Sequence, residues 1–229
     1  MSHIHLPDGI LPVWVWVTGW IIALAWIFIA NRIASSKPDI LRKLPLLAVV
    51  SAFMLVAMSL EIVPLAYHVN LSVLAGTLIG PLLSPIAALI IEIVLAFVGH
   101  GGITVAGINL VLGALEMTIG SLLFRAFVKL FGTKHIGLIG GIVTVITLAI
   151  STTLMLGVVS TISGSIPSHA GGVVSLKVFA RTVYVLGPIG WLIEATLTGF
   201  ILRYIASVRP NLLTGIMTKE GGRHENHND

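Results

Sequence analysis

The stretch VNLSVLAGTLIGP, residues 69–81, decides how many times this chain crosses a membrane. Residues 69–80 are mostly apolar and then break at Gly80-Pro81, where proline's missing N–H and fixed φ interrupt a helix. Twelve helical residues rise only ~18 Å, well short of the ~30 Å of a bilayer's hydrocarbon core. Outward from this piece, longer apolar runs cover residues 11–33 and 43–63 on one side. On the other side they cover 82–99, 104–131, 136–166 and 178–207. Each is close to or above the ~20 residues a spanning helix needs. Only 10% of the chain is charged, against about a quarter in soluble domains, and the mean hydropathy is +1.05. The class is therefore an all-α, polytopic membrane protein.

Charge placement settles whether the short piece counts as a crossing. Arg32, Lys37, Arg42 and Lys43 follow the first run, and Arg125, Lys129 and Lys134 lie between the runs at 104–131 and 136–166. Arg203, Arg209, Lys219 and Arg223 follow the last run. Cationic loops stay cytoplasmic, so an even number of passes must separate the first cluster from the second. The runs at 43–63, 82–99 and 104–131 supply three, and residues 69–80 supply the fourth. The expectation is a seven-helix bundle with a short third helix inside it, the N-terminus outside and the C-terminus cytoplasmic. Lys177 and Arg181 then fall outside. Residues 1–210 read as a single transmembrane domain in the cell membrane and 211–229 as a polar cytoplasmic tail. The net charge of +4 is membrane-flanking, so no nucleic-acid partner is expected.

This topology places His3, His5, His68, His100 and His169 at the outer face, and His135, His224 and His227 at the inner one. There is no cysteine, which excludes thiolate zinc and iron–sulfur sites. The opening Met1-Ser2-His3-Ile4-His5 has no Lys or Arg before the first apolar run, so an uncleaved N-terminus is expected. A terminal amine, deprotonated amide nitrogens and an imidazole two or three residues on form fused small chelate rings. Such near-planar nitrogen sets suit Ni²⁺ or Cu²⁺ better than tetrahedral Zn²⁺. If Met1 is retained, His3 is third; if it is excised before the small Ser2, His3 is second. Pro7-Asp8-Gly9 reads as a tight turn able to reverse these residues toward the bundle. His68 precedes the short third helix, with Asn70 or Tyr67 beside it as a supporting partner. Alternatively, these are incidental histidines of a frayed end and of the membrane interface.

Gly101 and Gly102 open a glycine-rich outer turn with His100, and Asn109 beyond it can bond an approaching backbone. Glu61, Glu92, Glu116 and Glu194 lie in or near spans, where a charge costs at least ~2.5–3.5 kcal/mol. They form either a cation or proton route or a set of neutral carboxyls bridging helices. No G-x-x-x-x-G-K-[ST] or H-E-x-x-H string occurs. Neither a P-loop ATPase nor a zinc-protease reading is therefore available, and the chain is not read as an enzyme.

Three ordered motifs carry a family resemblance: His3-Ile4-His5-Leu6-Pro7-Asp8-Gly9, His68 with Gly80-Pro81 twelve residues on, and Gly101-Gly102-Ile103-Thr104-Val105-Ala106-Gly107-Ile108-Asn109. The chain resembles the CbiM/NikM family, the substrate-capture membrane components of energy-coupling-factor transporters for cobalt and nickel. The resemblance implies a seven-helix fold with the N-terminal segment, residues 1–10, inserted into the bundle. It implies an ion held by the terminal amine, the next backbone nitrogen, an N-terminal imidazole and His68. Met1, Ser2 and His3 fit by position from the chain start, whereas alignment on Pro-Asp-Gly favours His5. Ser2 interrupts the family's usual Met-His start. His100, Asn109, Glu92, Asn70 and Glu116 then support the site or line a route from it.

Ni²⁺ or Co²⁺ is the implied substrate, in keeping with cobalamin biosynthesis. The implied partners are a transmembrane coupling subunit, two ATP-binding-cassette ATPases and often a small accessory membrane subunit. A different class of protein, a self-sufficient proton-coupled carrier using Glu92, Glu116 and Glu194, fits the acids as well. A non-transporting scaffold would bind no metal.

Overall fold

The computed structural model describes residues 6, 8–9, 11–59, 61–62, 67–99, 101–161, 165–167 and 173–213. Met1, Ser2, His3, His5, His100, His169 and the tail beyond 213 lie outside them. Eight α-helices occur among the described residues: α1 Val13–Ser35, α2 Pro38–Leu41, α3 Leu44–Ser59, α4 Ser72–Ile79, α5 Ser84–Phe97, α6 Ala106–Phe131, α7 Ile136–Val159 and α8 Leu176–Val208. The helix not foreseen is α2, a single turn that Pro38 starts in the loop after α1. Two short antiparallel ladders were also not expected, β1 Glu61–Ile62 with β2 Tyr67–His68, and β3 Ser165–Pro167 with β4 Val173–Ser175.

Those ladders explain where the apolar runs and the helices part company. α3 stops at Ser59 and α7 at Val159, short of the expected run ends at Val63 and Ile166, the stretch 160–166 being largely polar. The continuing segments enter strands, and a short apolar run does not distinguish strand from helix. α3 and α5 hold 16 and 14 residues. Four helices, α1, α6, α7 and α8, are long and apolar enough to cross a membrane. The longest, α8, has 33 residues and carries Pro188 inside it.

Residues 69–80 supply a helix of eight residues, α4, and all eight are buried. Leu71 enters it with φ 56°, a left-handed conformation unusual for a bulky residue, and Gly80 leaves it with φ 89°. Gly76 lets α4 lie directly on α6. A Cβ there would sit 2.0 Å from the carbonyl oxygen of Met117. A similar glycine contact joins α1 to α6, where a Cβ on Gly107 would sit 2.7 Å from the backbone nitrogen of Trp20. α7 and α8 run antiparallel in close contact, with Gly137 on Gly199 and Gly141 on Ala195.

The structure brings described members of all three basic clusters, Lys43, Arg125 and Arg203, to one end of the bundle. Lys43 lies close enough to Arg125 to feel its charge. Burial first, and then that charge, lowers the Lys43 pKa. Arg125 reaches the C-terminal end of α4 at Gly80, and Arg203 packs against Gly137 at the start of α7.

Polarity is inverted relative to a soluble protein. Trp14, Ile21, Leu192 and Phe200 are each more than 60% exposed, while Asn70, Asn109, Glu92, Glu116 and Glu194 are buried. Apolar side chains outside and polar ones inside are favourable where the surroundings are lipid. The molecule is a multi-pass membrane protein.

Candidate metal centre

Leu6 and Asp8 are fastened to the end of the bundle opposite the basic clusters. Leu6 is 3% exposed and packs among Leu11, Val15, Val105, Ile108, Leu112 and Met155. Its backbone is gripped from both sides by one side chain: Leu6 N donates to Asn109 Oδ1 at 3.1 Å, and Asn109 Nδ2 donates to Leu6 O at 3.3 Å. The Gly102 N–H donates to the same carbonyl at 3.2 Å. Leu6 thus satisfies its backbone groups within the bundle, as burial requires.

Two residues on, Asp8 secures the turn. Its carboxylate accepts from the N–H groups of Ile103 and Thr104 at 3.1 and 2.8 Å, and from the Thr104 hydroxyl. These N–H groups precede the first turn of α6, where donors lack intrahelical partners and the helix dipole favours an anion. The Thr104 hydroxyl, followed by the N–H groups of Thr104, Ile103 and Val105, holds the Asp8 carboxyl below its ordinary value. Gly102 makes the approach possible, since a Cβ there would sit 2.2 Å from Asp8 Oδ1. The Thr104 carbonyl accepts from Trp20 Nε1 at 2.8 Å, tying the same loop to α1.

His68 closes the β1–β2 ladder opposite Glu61 and is half-buried. The backbone then dives inward, and Asn70 is 1% exposed. Asn70 Nδ2 donates to Glu116 Oε1 at 2.9 Å, and Ser151 Oγ donates to Glu116 Oε2 at 2.7 Å. The backbone N–H groups of Asn70 and Leu71 donate to the two oxygens of Glu194 at 3.2 and 3.3 Å. A carboxylate from α8 therefore holds the entry to α4, and a carboxylate from α6 holds the side chain beside it. Glu92, on α5, is buried facing Gly113 of α6.

Asn109 and Glu116 lie seven residues apart on α6, and thus on one face, ~10.5 Å apart along its axis. Leu6 and Asn70, the latter lying two residues after His68, are therefore held on the same face of one helix. Five residues precede Leu6, a reach of up to ~17 Å if extended. Among the sequence candidates, Asn109, Asn70 and Glu116 are placed along this face and His68 is placed beside it. Sequence reasoning did not single out Ser151 or the anchoring part of Asp8. Their partners lie 35 and 95 or more residues away, beyond any local pattern.

Residues 5–212 match the family model of the cobalt uptake substrate-specific transmembrane region, CbiM. A Methanosarcina barkeri protein assigned by name to cobalt transport, CbiM 1, is 26% identical over 220 residues, covering 91% of each chain. A Haloquadratum walsbyi protein assigned by name to metal transport is 31% identical over 214 residues, covering 91% of this chain and 93% of its own. The fold also matches a crystal structure of a truncated transition metal transporter. The TM-score is 0.73 at 19% identity, over 89% of this chain and 99% of that one.

Proposed function

Because this chain belongs to the CbiM family of cobalt-uptake transmembrane regions, we propose that it captures Co²⁺ or Ni²⁺ between its N-terminal segment and His68. It does so as the substrate-specific membrane component of an ATP-driven uptake system. The observation that supports the reading is the two-sided grip of Asn109 on Leu6, seven residues along α6 from the Glu116 that holds Asn70, itself two residues from His68. Imidazole, amine and amide nitrogens suit both ions, which stand next to each other in the affinity order. His3 supplies the N-terminal imidazole when ligands are counted from the chain start, and His5 when the chain is aligned on Pro-Asp-Gly.

The basic clusters lie at the far end of the bundle from this site. With that end cytoplasmic, the site faces outward, the N-terminus is outside and the C-terminus inside. With no P-loop string in the sequence, ATP hydrolysis falls to partner ATPases, joined through a transmembrane coupling subunit with or without a small accessory membrane protein.

Calorimetry on the purified chain tests the assignment. His68→Ala removes a ligand and lowers Co²⁺ or Ni²⁺ affinity by more than the roughly 10–100-fold typical of outer-sphere changes. Affinity near that of the unsubstituted chain would refute the site. His3→Ala should weaken binding more than His5→Ala, and the opposite ranking would move the ligand to His5.

A further inference from the structure

On the basic side of the bundle, the outward seam between α7 and α8 opens into a cleft of about 450 Å³. We propose that this cleft seats one phospholipid with an anionic headgroup, its acyl chain along the seam and its phosphate on Arg203. The site lies away from the candidate metal centre and does not rest on the capture reading.

The floor of the cleft is where the two backbones meet. A Cβ on Gly137 would sit 2.8 Å from the Gly199 carbonyl oxygen, and one on Gly199 would sit 2.7 Å from that of Gly137. One on Gly141 would sit 3.2 Å from the Ala195 carbonyl oxygen. Helices this close leave a furrow on their outer side. Its walls are the exposed side chains of Leu138 and Ile142 on α7 and of Leu192 and Phe200 on α8. Thr196 also lines it, but donates its hydroxyl to the Leu192 carbonyl at 2.7 Å, so the furrow stays apolar up to Arg203.

Dimensions favour a lipid over a further helix. The furrow runs from Gly137 to Val145 on α7 and from Arg203 back to Leu192 on α8, which is ~12–17 Å at ~1.5 Å per residue. That is about half of a ~30 Å hydrocarbon core, the depth of one leaflet. A helix ~10–12 Å across fills roughly 900 Å³ or more over ~12 Å, about twice the cleft. An acyl chain is thin enough to lie within it.

Charge selects the headgroup. Arg203 is exposed, lines the cleft with its stem against Gly137, and has no ion-pair partner among the described residues. Lys134, also exposed, lies three residues before Gly137, within ~10 Å of the mouth. Asp39, the exposed carboxylate described at this end, sits on α2 beside α1. Arg32, Lys37, Arg42, Lys129 and Arg209 are exposed here too, but Arg32 covers the Phe28 ring and none of the five lines the cleft. A guanidinium pairs a phosphate through parallel N–H donors, and basic pockets between membrane helices match anionic headgroups. An apolar helix in the cleft would leave Arg203 unpaired.

The test is lipid retention by the purified full-length chain. Delipidated protein in detergent is given equal amounts of dioleoyl phosphatidylglycerol and dioleoyl phosphatidylcholine, and bound lipid is counted by native mass spectrometry. One phosphatidylglycerol should bind in preference to phosphatidylcholine. Arg203→Gln should weaken its retention about fivefold, the ~1 kcal/mol that one cation contributes at an anionic surface. Arg203→Lys should keep most of the preference and Arg209→Gln all of it. Thr196→Trp, which fills the furrow and leaves Arg203 in place, should weaken retention at least as much. Should that variant not fold, Val145→Trp carries the same expectation. Equal retention of the two lipids, or no loss in Arg203→Gln, would overturn the proposal. A loss confined to Arg203→Gln would overturn it too, because the phosphate would then bind without the cleft. Retention of neither lipid would give the cleft to a partner helix and refute the lipid site.

Discussion

A carboxylate that accepts from two backbone N–H groups and a hydroxyl, as Asp8 does from Ile103 and Thr104, is stabilised in its charged form. Its pKa in the folded chain lies below the ordinary 3.8. The clamp therefore contributes fully at pH above 3.8 and is lost as pH falls through the depressed value. Asp8→Asn should melt at a lower temperature than the unsubstituted chain at pH 7, and the gap should close below about pH 4. A gap that stays constant across that range would separate Asp8 from the clamp. Gly102→Ala attacks the same contact sterically, because the new methyl would occupy the place of the Asp8 carboxylate. It should weaken Co²⁺ binding in calorimetry by detaching the N-terminal segment. At this scale the sequence was informative about residue types and silent about partners. Asn70, Asn109 and Glu116 stand out because a polar side chain inside an apolar span needs a reason. That Asn109 would meet a backbone 103 residues earlier is a fact of tertiary folding with no local trace.

Among the elements, α4 carries the most consequence for its length. Eight residues of helix would be marginal alone, and α4 is held by burial on every side and by Glu194 at its entry. Gly76→Ala would drive a methyl into the Met117 carbonyl, which cannot retreat as a flexible side chain could. Overpacking of this kind costs ~1–3 kcal/mol or more, so thermal unfolding of this variant should move to lower temperature, and an unchanged melting point would contradict the α4–α6 contact. The long helices were legible because a lipid surrounding imposes continuous apolarity, and α4 was legible through the parity of charged loops. The ladders were not, since a strand of two or three residues is too short to show a period. The shorter extents of α3 and α5 were hidden for the same reason, as apolar residues continue past their ends.

On the scale of the whole molecule, α6 is the axis that joins the two ends of the bundle. The loop before its first turn receives Asp8, its first turn receives Leu6, its middle receives Asn70, and toward its far end stands Arg125 among the basic groups. The anchor of Leu6 and Asp8 at one end and a cationic boundary at the other follow from the order of residues along a single helix of 26 residues and the loop before it. The claim beneath all of this is that the polypeptide's beginning and the imidazole of His68 share one ion. An anomalous-scattering map at the cobalt or nickel absorption edge, on protein whose N-terminal residue has been identified by mass spectrometry, measures it directly. A shared ion predicts a peak within bonding distance of both the N-terminal nitrogens and His68. A peak bonded to only one of them, or the two groups at opposite ends of the bundle, would contradict it.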